Sequence, residues 1–471
     1  MSDPETGYWY SRLVFERALA AVYLIAFLCA ANQYIPLLGE RGLLPIGHFV
    51  RAVPFRAAPT LFHVSSTDTT IRAVAWSGVV LSMVALSGYP QAMGTIASAV
   101  VWGALWLLYL SLVNAGQIFY GFGWESLLLE AGFFAMFAGG SATAPSTIWM
   151  WIYRWMLFRV MFGAGLIKLR GDACWRDLTC LYYYFETQPI ANPLSWFFHW
   201  LPHAVHRAGV AFNHVVELAV PFLYFTPQPF AAVGGLLTIA FQLTLIVSGN
   251  LSWLNWITIV IAVPTLDDRW WSWLPVAPPP LQTPSSHRIA VAAAGVVVAV
   301  MSIKPTINML SPRQLMNYSF NPLHLVNTYG AFGSITRTRY EIVIEGTLDA
   351  TVGDQTAWHA YEFKGKPGDT ARRPPQIAPY HLRLDWLMWF AAMSPPNQHP
   401  WFTVLLVRLL EGDNDVLGLL RHNPFADKPP RWVRAVYYEY KFTTSEERHA
   451  TGAWWSRRQV GMYVPPVSLP Q

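Results

Sequence analysis

The chain has 471 residues, of which 54% are hydrophobic and only 13% charged, with a net charge of +5. Soluble domains carry about 25% charged residues, so these figures exclude a water-soluble protein of this size. They fit a membrane protein, as do 23 Trp and an aromatic content of 15%, because Trp and Tyr line bilayer interfaces. The small positive charge is read as loop arginines near lipid headgroups. No basic cluster with interleaved stacking aromatics stands out, which sets nucleic acid aside.

Residues 1–12 are polar, and the first apolar run, 14–36, carries Glu16 and Arg17 without a clear small-residue cleavage site. It is read as a retained span rather than a signal peptide. Further apolar runs lie at 70–88, 93–117, 122–140, 147–168, 208–226, 229–248, 252–265 and 288–304. Most approach the ~20 residues that cross the hydrocarbon. The run 252–265 is short, and the total expected is eight or nine spans. A cytoplasmic N-terminus is expected. With nine spans, the C-terminal region then lies on the non-cytoplasmic side.

Composition changes after Met309. Tyr340–Gly346 alternates with period two, as a half-buried strand does, with Trp358–Phe363 as its hairpin partner. Leu382–Ala392 and Trp401–Leu410 read as amphipathic helices, and Arg431–Thr443 and Trp454–Val464 as strands. The expected organisation is a transmembrane helical domain over 1–310, with a polar loop at 170–207. A strand-rich α+β domain outside the bilayer follows over 311–471.

The densest chemistry lies at 158–180, where an apolar helix runs directly into Lys168, Arg170, Asp172, Cys174, Arg176, Asp177 and Cys180. A partly desolvated Lys168 is a candidate general base; the alternative is an anchor lysine snorkelling to the interface. Cys174 and Cys180 are candidates for a disulfide in an oxidising compartment, against two free thiols. His214 and Glu217 are three apart and expected on one helix face. With His203 and His206 they read as a polar cluster in preference to a metal site. Glu125 and Glu130 precede Arg154 and Arg159 on the next run, which predicts buried ion pairs between adjacent spans. There is no Gly-rich phosphate loop, GxSxG or HExxH, and neither a metal nor a cofactor is expected.

Several long strings carry a resemblance: YGFGWESLLLEAGF (120–133), GAGLIKLRGDACWRDLTC (163–180), FETQPIANPLSWFFHWLP (185–202), VSGNLSWLNW (247–256), YGAFGSITRTRYEIVIEG (329–346), APYHLRLDWLMWFAA (378–392), PPRWVRAVYYEYKF (429–442) and GAWWSRRQVGMYVPPV (452–467). Through them the chain resembles the lipase maturation factor family along nearly its whole length. The resemblance implies a multi-pass membrane protein. Vertebrate members reside in the endoplasmic reticulum membrane and help dimeric lipases such as lipoprotein lipase fold and assemble, and their C-terminal domain contacts the client. It carries client contact to Trp386, Trp389, Arg431, Trp432, Trp454 and Trp455. The short tail after Pro466 and the Ala/Arg-rich composition read as bacterial, so the plasma membrane is expected in a bacterium and the endoplasmic reticulum membrane in a eukaryote. AGLIKL (164–169) is also similar to the segment carrying the catalytic lysine of vitamin K-dependent gamma-carboxylases, with Lys168 at the matching position.

The expected function is therefore a membrane-embedded, chaperone-like maturation factor for exported proteins, lipases among them, rather than an enzyme. The alternative is a membrane enzyme using Lys168 as a base on a lipid- or quinone-like substrate within the bundle.

Overall fold

In the computed structural model, residues 7–470 are described; the first half of the polar N-terminal stretch lies outside them. The N-terminal part is helical, and strands begin at Arg339. Six helices are long and apolar enough to cross a membrane: Trp9–Leu38, Asp68–Ser87, Thr95–Ala115, His203–Phe225, Phe230–Ser248 and Ser285–Leu310.

The other three expected runs also form helices, but inner ones. Gly123–Ala135 has 13 residues and is buried on nearly every side. Thr147–Arg170 has 24 residues and buries both Arg154 and Arg159. Leu254–Ala262 has nine residues. A helix that is apolar all round sits in a protein core as readily as in lipid, which is why their sequences look like spans.

We number the nine segments α1 (Trp9–Leu38), α2 (Asp68–Ser87), α3 (Thr95–Ala115), α4 (Gly123–Ala135), α5 (Thr147–Arg170), α6 (His203–His214, continued to Phe225), α7 (Phe230–Ser248), α8 (Leu254–Ala262) and α9 (Ser285–Met301, continued by Ile303–Leu310). They run alternately between two ends of the bundle. At the near end, the backbone N–H of Trp9 donates to Asp268, and Arg12 donates to the carbonyls of Ala138 and Thr143. Arg154 there donates to the carbonyls of Pro264 and Tyr224. At the far end, Gln33 near the close of α1 donates to the His381 carbonyl at 2.7 Å. Residues 7–10 and the C-terminal region thus lie at opposite ends of α1.

After α9, residues 311–335 fold back on the bundle. Gln314 donates to the Gly163 carbonyl at 2.9 Å, and the Tyr329 hydroxyl donates to Glu130 at 2.7 Å. The chain then enters a four-stranded antiparallel sheet. Its strands are β1 (Arg339–Thr347), β2 (His359–Ala360), β5 (Trp432–Phe442) and β6 (Trp455–Val467), in the order β2-β1-β5-β6. A small second sheet pairs β3 (Glu362–Phe363) with β4 (Leu420–His422). The expected hairpin over 358–363 is real but short: only Glu345 and Gly346 of β1 face it, and β1 pairs along its whole length with β5. Helices α10 (Arg383–Ala391) and α11 (Pro400–Glu411) fill the space between sheet and bundle.

Two further sets of contacts hold the C-terminal part on the far end. The segment 171–202 embraces the sheet: the indole N–H groups of Trp196 and Trp200 donate to the Thr443 carbonyl, and Arg339 donates to the carbonyls of Glu186 and Pro189. The second is an ion pair, Arg383 of α10 to Glu125 of α4, at 2.8 Å and fully buried.

Candidate functional site

A cavity of about 730 Å³ lies where α5, α6, α7 and α8 meet α10. Its size falls within the ~300–1,000 Å³ range of small-molecule sites. Lys168, in the last turn of α5, reaches it. The Lys168 Nζ donates to Glu217 Oε1 at 2.5 Å and to Asn213 Oδ1 at 3.0 Å. Asn213 Nδ2 donates to the other carboxylate oxygen of Glu217 at 2.9 Å, and the ammonium stands 4.9 Å from the centre of the Trp175 ring. All three polar side chains line the cavity and are more than 90% buried. Lys168 therefore does not snorkel to headgroups.

The backbone explains how Glu217 arrives there. The α-helix His203–His214 passes into a wider π-turn over Val215–Ala219. Such turns rotate the following residues about the helix axis and recur at functional positions. His214 and Glu217, expected on one helix face, point to different partners across this turn. His214 turns to the Trp175 carbonyl at 2.9 Å and is absent from the cavity wall, whereas Glu217 faces Lys168. His206 bonds the Phe198 carbonyl, and His203 stacks on Tyr182. Sequence reasoning missed Asn213; its spacing of four from Glu217 was the available signal.

The predicted pairing of acidic and basic spans forms in part. Glu130 and Arg159 are ion-paired, with Glu130 also accepting from Asn327 and Tyr329. Glu125 and Arg154 do not join them. Glu125 pairs with Arg383 and accepts from the Tyr109 hydroxyl. Arg154 is satisfied by backbone carbonyls and the Tyr8 hydroxyl. An arginine can meet its five donors without a carboxylate, so charge opposition alone did not select the partner.

Cys174 and Cys180 are bonded to each other. They close a hairpin beside Asp172, whose carboxylate receives Arg337 at 2.7 Å. That guanidinium, as hydrogen-bond donor, holds the Asp172 carboxyl down at about 2. Cys29 is buried, and its sulfur accepts from the His381 N–H.

The six residues expected to touch a client separate into two groups. Trp386, Trp454 and Trp455 are buried. Trp386 forms part of the cavity wall, Trp455 stacks on Phe442, and Trp454 is covered by Arg448. Trp389 is half-buried, donating to the Thr187 carbonyl. Arg431 is exposed and Trp432 partly so, at the start of the inner strand β5.

Two family models match the chain: one described as the lipase maturation factor transmembrane domain over residues 10–273, the other as the lipase maturation factor C-terminal domain over 325–465. Lipase maturation factor 1 of Bos taurus is 45% identical, the alignment covering 98% of this chain and 89% of the relative. The Homo sapiens protein of that name is 43% identical over 98% and 88%. Lipase maturation factor 2 of Gallus gallus is 29% identical over 97% of this chain and 81% of its own. No solved structure matches. With two matching domain models and relatives aligned over 97–98% of its length, the chain is an integral membrane protein that belongs to the lipase maturation factor family.

Proposed function

We propose that this chain is a membrane-embedded maturation factor for exported proteins, with lipases as its clients. The observation that carries this reading is the 45% identity to a lipase maturation factor over 98% of the chain. Client contact falls to the C-terminal region, 311–471, on its outward surface around Arg431 and Trp432. The helical region, 1–310, anchors it.

The alternation of α1 to α9 between two ends, six of them long enough to span and three packed inside, supports nine passes of the chain through the bundle, within the eight or nine expected. An odd number places the C-terminal region opposite the N-terminus, hence on the non-cytoplasmic side when the N-terminus is cytoplasmic. The Cys174–Cys180 bond lies at that same end and favours an oxidising compartment. That compartment is the lumen of the endoplasmic reticulum in a eukaryote and the periplasm or exterior in a bacterium.

The test is expression of a secreted dimeric lipase in cells that lack the chain and in cells that carry it. A rise in active lipase per secreted mass supports the proposal. Equal specific activity in both refutes it.

One observation favours a second reading, catalysis within the bundle: Lys168, Asn213 and Glu217 form a buried polar cluster on the wall of a large cavity. Lys168 would then act as the base on a lipid- or quinone-like substrate. Lys168→Met that folds and inserts, yet abolishes lipase output, would establish that reading over the first.

A further inference from the structure

The cavity holds more hydrogen-bonding capacity than the protein uses. Asn255, one residue into α8, is 2% exposed and lines the cavity, and neither its Nδ2 nor its Oδ1 has a hydrogen-bond partner. The indole N–H of Trp124, on the same wall, is also unpartnered. Gln242 Nε2 reaches only the sulfur of Met161, at 3.6 Å. A buried amide without a partner costs about 1–3 kcal/mol, and buried side-chain polar atoms are paired in most structures. Two unpartnered groups and a third held only by a sulfur, around one cavity, are best explained by something that fills it.

The walls also define its charge. Among the lining residues, Lys168 and Glu217 are the only Lys, Arg, Asp or Glu, and they neutralise each other. A ligand with net charge would enter a buried site with no counter-ion. The remaining wall is mostly aliphatic and aromatic. Four of its members, Ile118, Met316, Phe390 and Met393, are each more than a third exposed, which gives the cavity an apolar mouth.

We infer that this cavity is a binding site for one uncharged acyl lipid, whose hydroxyl- or ester-bearing head is held by Asn255 and whose chain lies among the apolar walls. Asn255 has an acceptor and two donors to offer, matching a hydroxyl beside an ester carbonyl. The apolar mouth lets such a molecule enter without exposing its chain to water. The inference does not rest on lipase maturation: a lipid-filled cavity at the junction of α5 to α8 with α10 serves either reading of function.

The experiment uses the full chain, purified in a nonionic detergent, with radiolabelled 1-oleoylglycerol as the probe. Saturable binding of one molecule per chain is expected, with affinity reduced about tenfold or more in Asn255→Leu, a change of nearly equal size that removes the amide. Oleate and dioleoylphosphatidylcholine are expected to compete poorly. The melting temperature of lipid-free Asn255→Leu separates a binding amide from a structural one. It should equal or exceed that of the wild type, because an unpartnered buried polar group is removed. Should Asn255→Leu fail to fold, the amide is structural and the inference fails. Gln242→Leu, on the neighbouring wall, gives an independent reading with the same expected loss. Absence of saturable binding, unchanged affinity in the variants, or equal binding of the phospholipid would each overturn the inference.

Discussion

Glu125–Arg383 and Glu217–Lys168 are the same opposition of charges in two settings. Arg383 donates to Glu125 at 2.8 Å and to the Phe119 carbonyl at 2.7 Å, and lies over the Tyr120 ring at 3.4 Å. Both partners are completely buried, and the pair joins α10 to α4, across the boundary between the strand-containing part and the bundle. Lys168 and Glu217 are nearly as buried but form one wall of a cavity of about 730 Å³. A sealed pair has no alternative partner, so its geometry is structural. A pair on a cavity wall can exchange partners with whatever the cavity holds. The comparison teaches that burial alone does not distinguish a structural ion pair from a functional one; the space beside it does.

The largest effect that would break this contrast is expected at the sealed pair. Glu125→Ala leaves Arg383 buried without its counter-ion and should cost about 3–5 kcal/mol, seen as a large fall in melting temperature of the detergent-purified protein. Glu125→Met together with Arg383→Met should recover much of that loss, because a buried pair replaced by apolar groups of similar volume is often near neutral. If the single and double variants are equally unstable, the pair is not what seats α10.

Lys168→Met should cost less, about 1–3 kcal/mol, because the Glu217 carboxylate keeps the Asn213 amide and borders open space. Under the maturation proposal, lipase output persists in a folded Lys168→Met protein. A destabilisation as large as that of Glu125→Ala would erase the contrast between the two sites.

A smaller effect is expected at the clamp between segment 171–202 and the sheet. Trp196→Phe removes one donor to the Thr443 carbonyl, at 2.7 Å, and should cost about 1 kcal/mol. Limited proteolysis should then cut more readily between residues 193 and 202. Unchanged protection would show that the clamp does not depend on that bond.

The smallest effect is a pH dependence. Asp172 is held at about 2 against an ordinary 3.8, mainly by its hydrogen bond with Arg337. A carboxyl depressed in the folded state contributes stability above its unfolded value and loses it as pH falls through the folded one. The contribution is present above about pH 4 and lost between about 4 and 2. The site is partly solvated, so it amounts to less than about 1 kcal/mol. Asp172→Asn should flatten the melting temperature across that window, and an unchanged profile would assign the acid sensitivity elsewhere.

Much of this architecture is legible in the amino-acid sequence. The alternation in YEIVIEG marks β1, and the apolar runs mark every helix of the bundle. Lys168 stands out because an ammonium at the end of an apolar helix needs a partner. What stays hidden is mostly a matter of distance along the chain. Glu125 finds Arg383, 258 residues away, and not the arginines of the following helix. Asn255 sits inside an apolar run and gives no periodic signal, and the π-turn over Val215–Ala219 breaks the spacing that makes His214 and Glu217 look like neighbours. Three of the tryptophans expected to touch a client, Trp386, Trp454 and Trp455, are buried, since side chains suited to bind a partner are equally suited to fill a core.

The most direct measurement is the specific activity of a secreted dimeric lipase, normalised to its mass in the medium, from cells without the chain, with the wild type, and with Arg431→Ala combined with Trp432→Ala. A maturation factor that meets its client at the exposed start of β5 gives high activity with the wild type and a marked loss with the double variant, whose expression and melting temperature remain normal. Equal lipase activity in cells with and without the chain would contradict the proposed function.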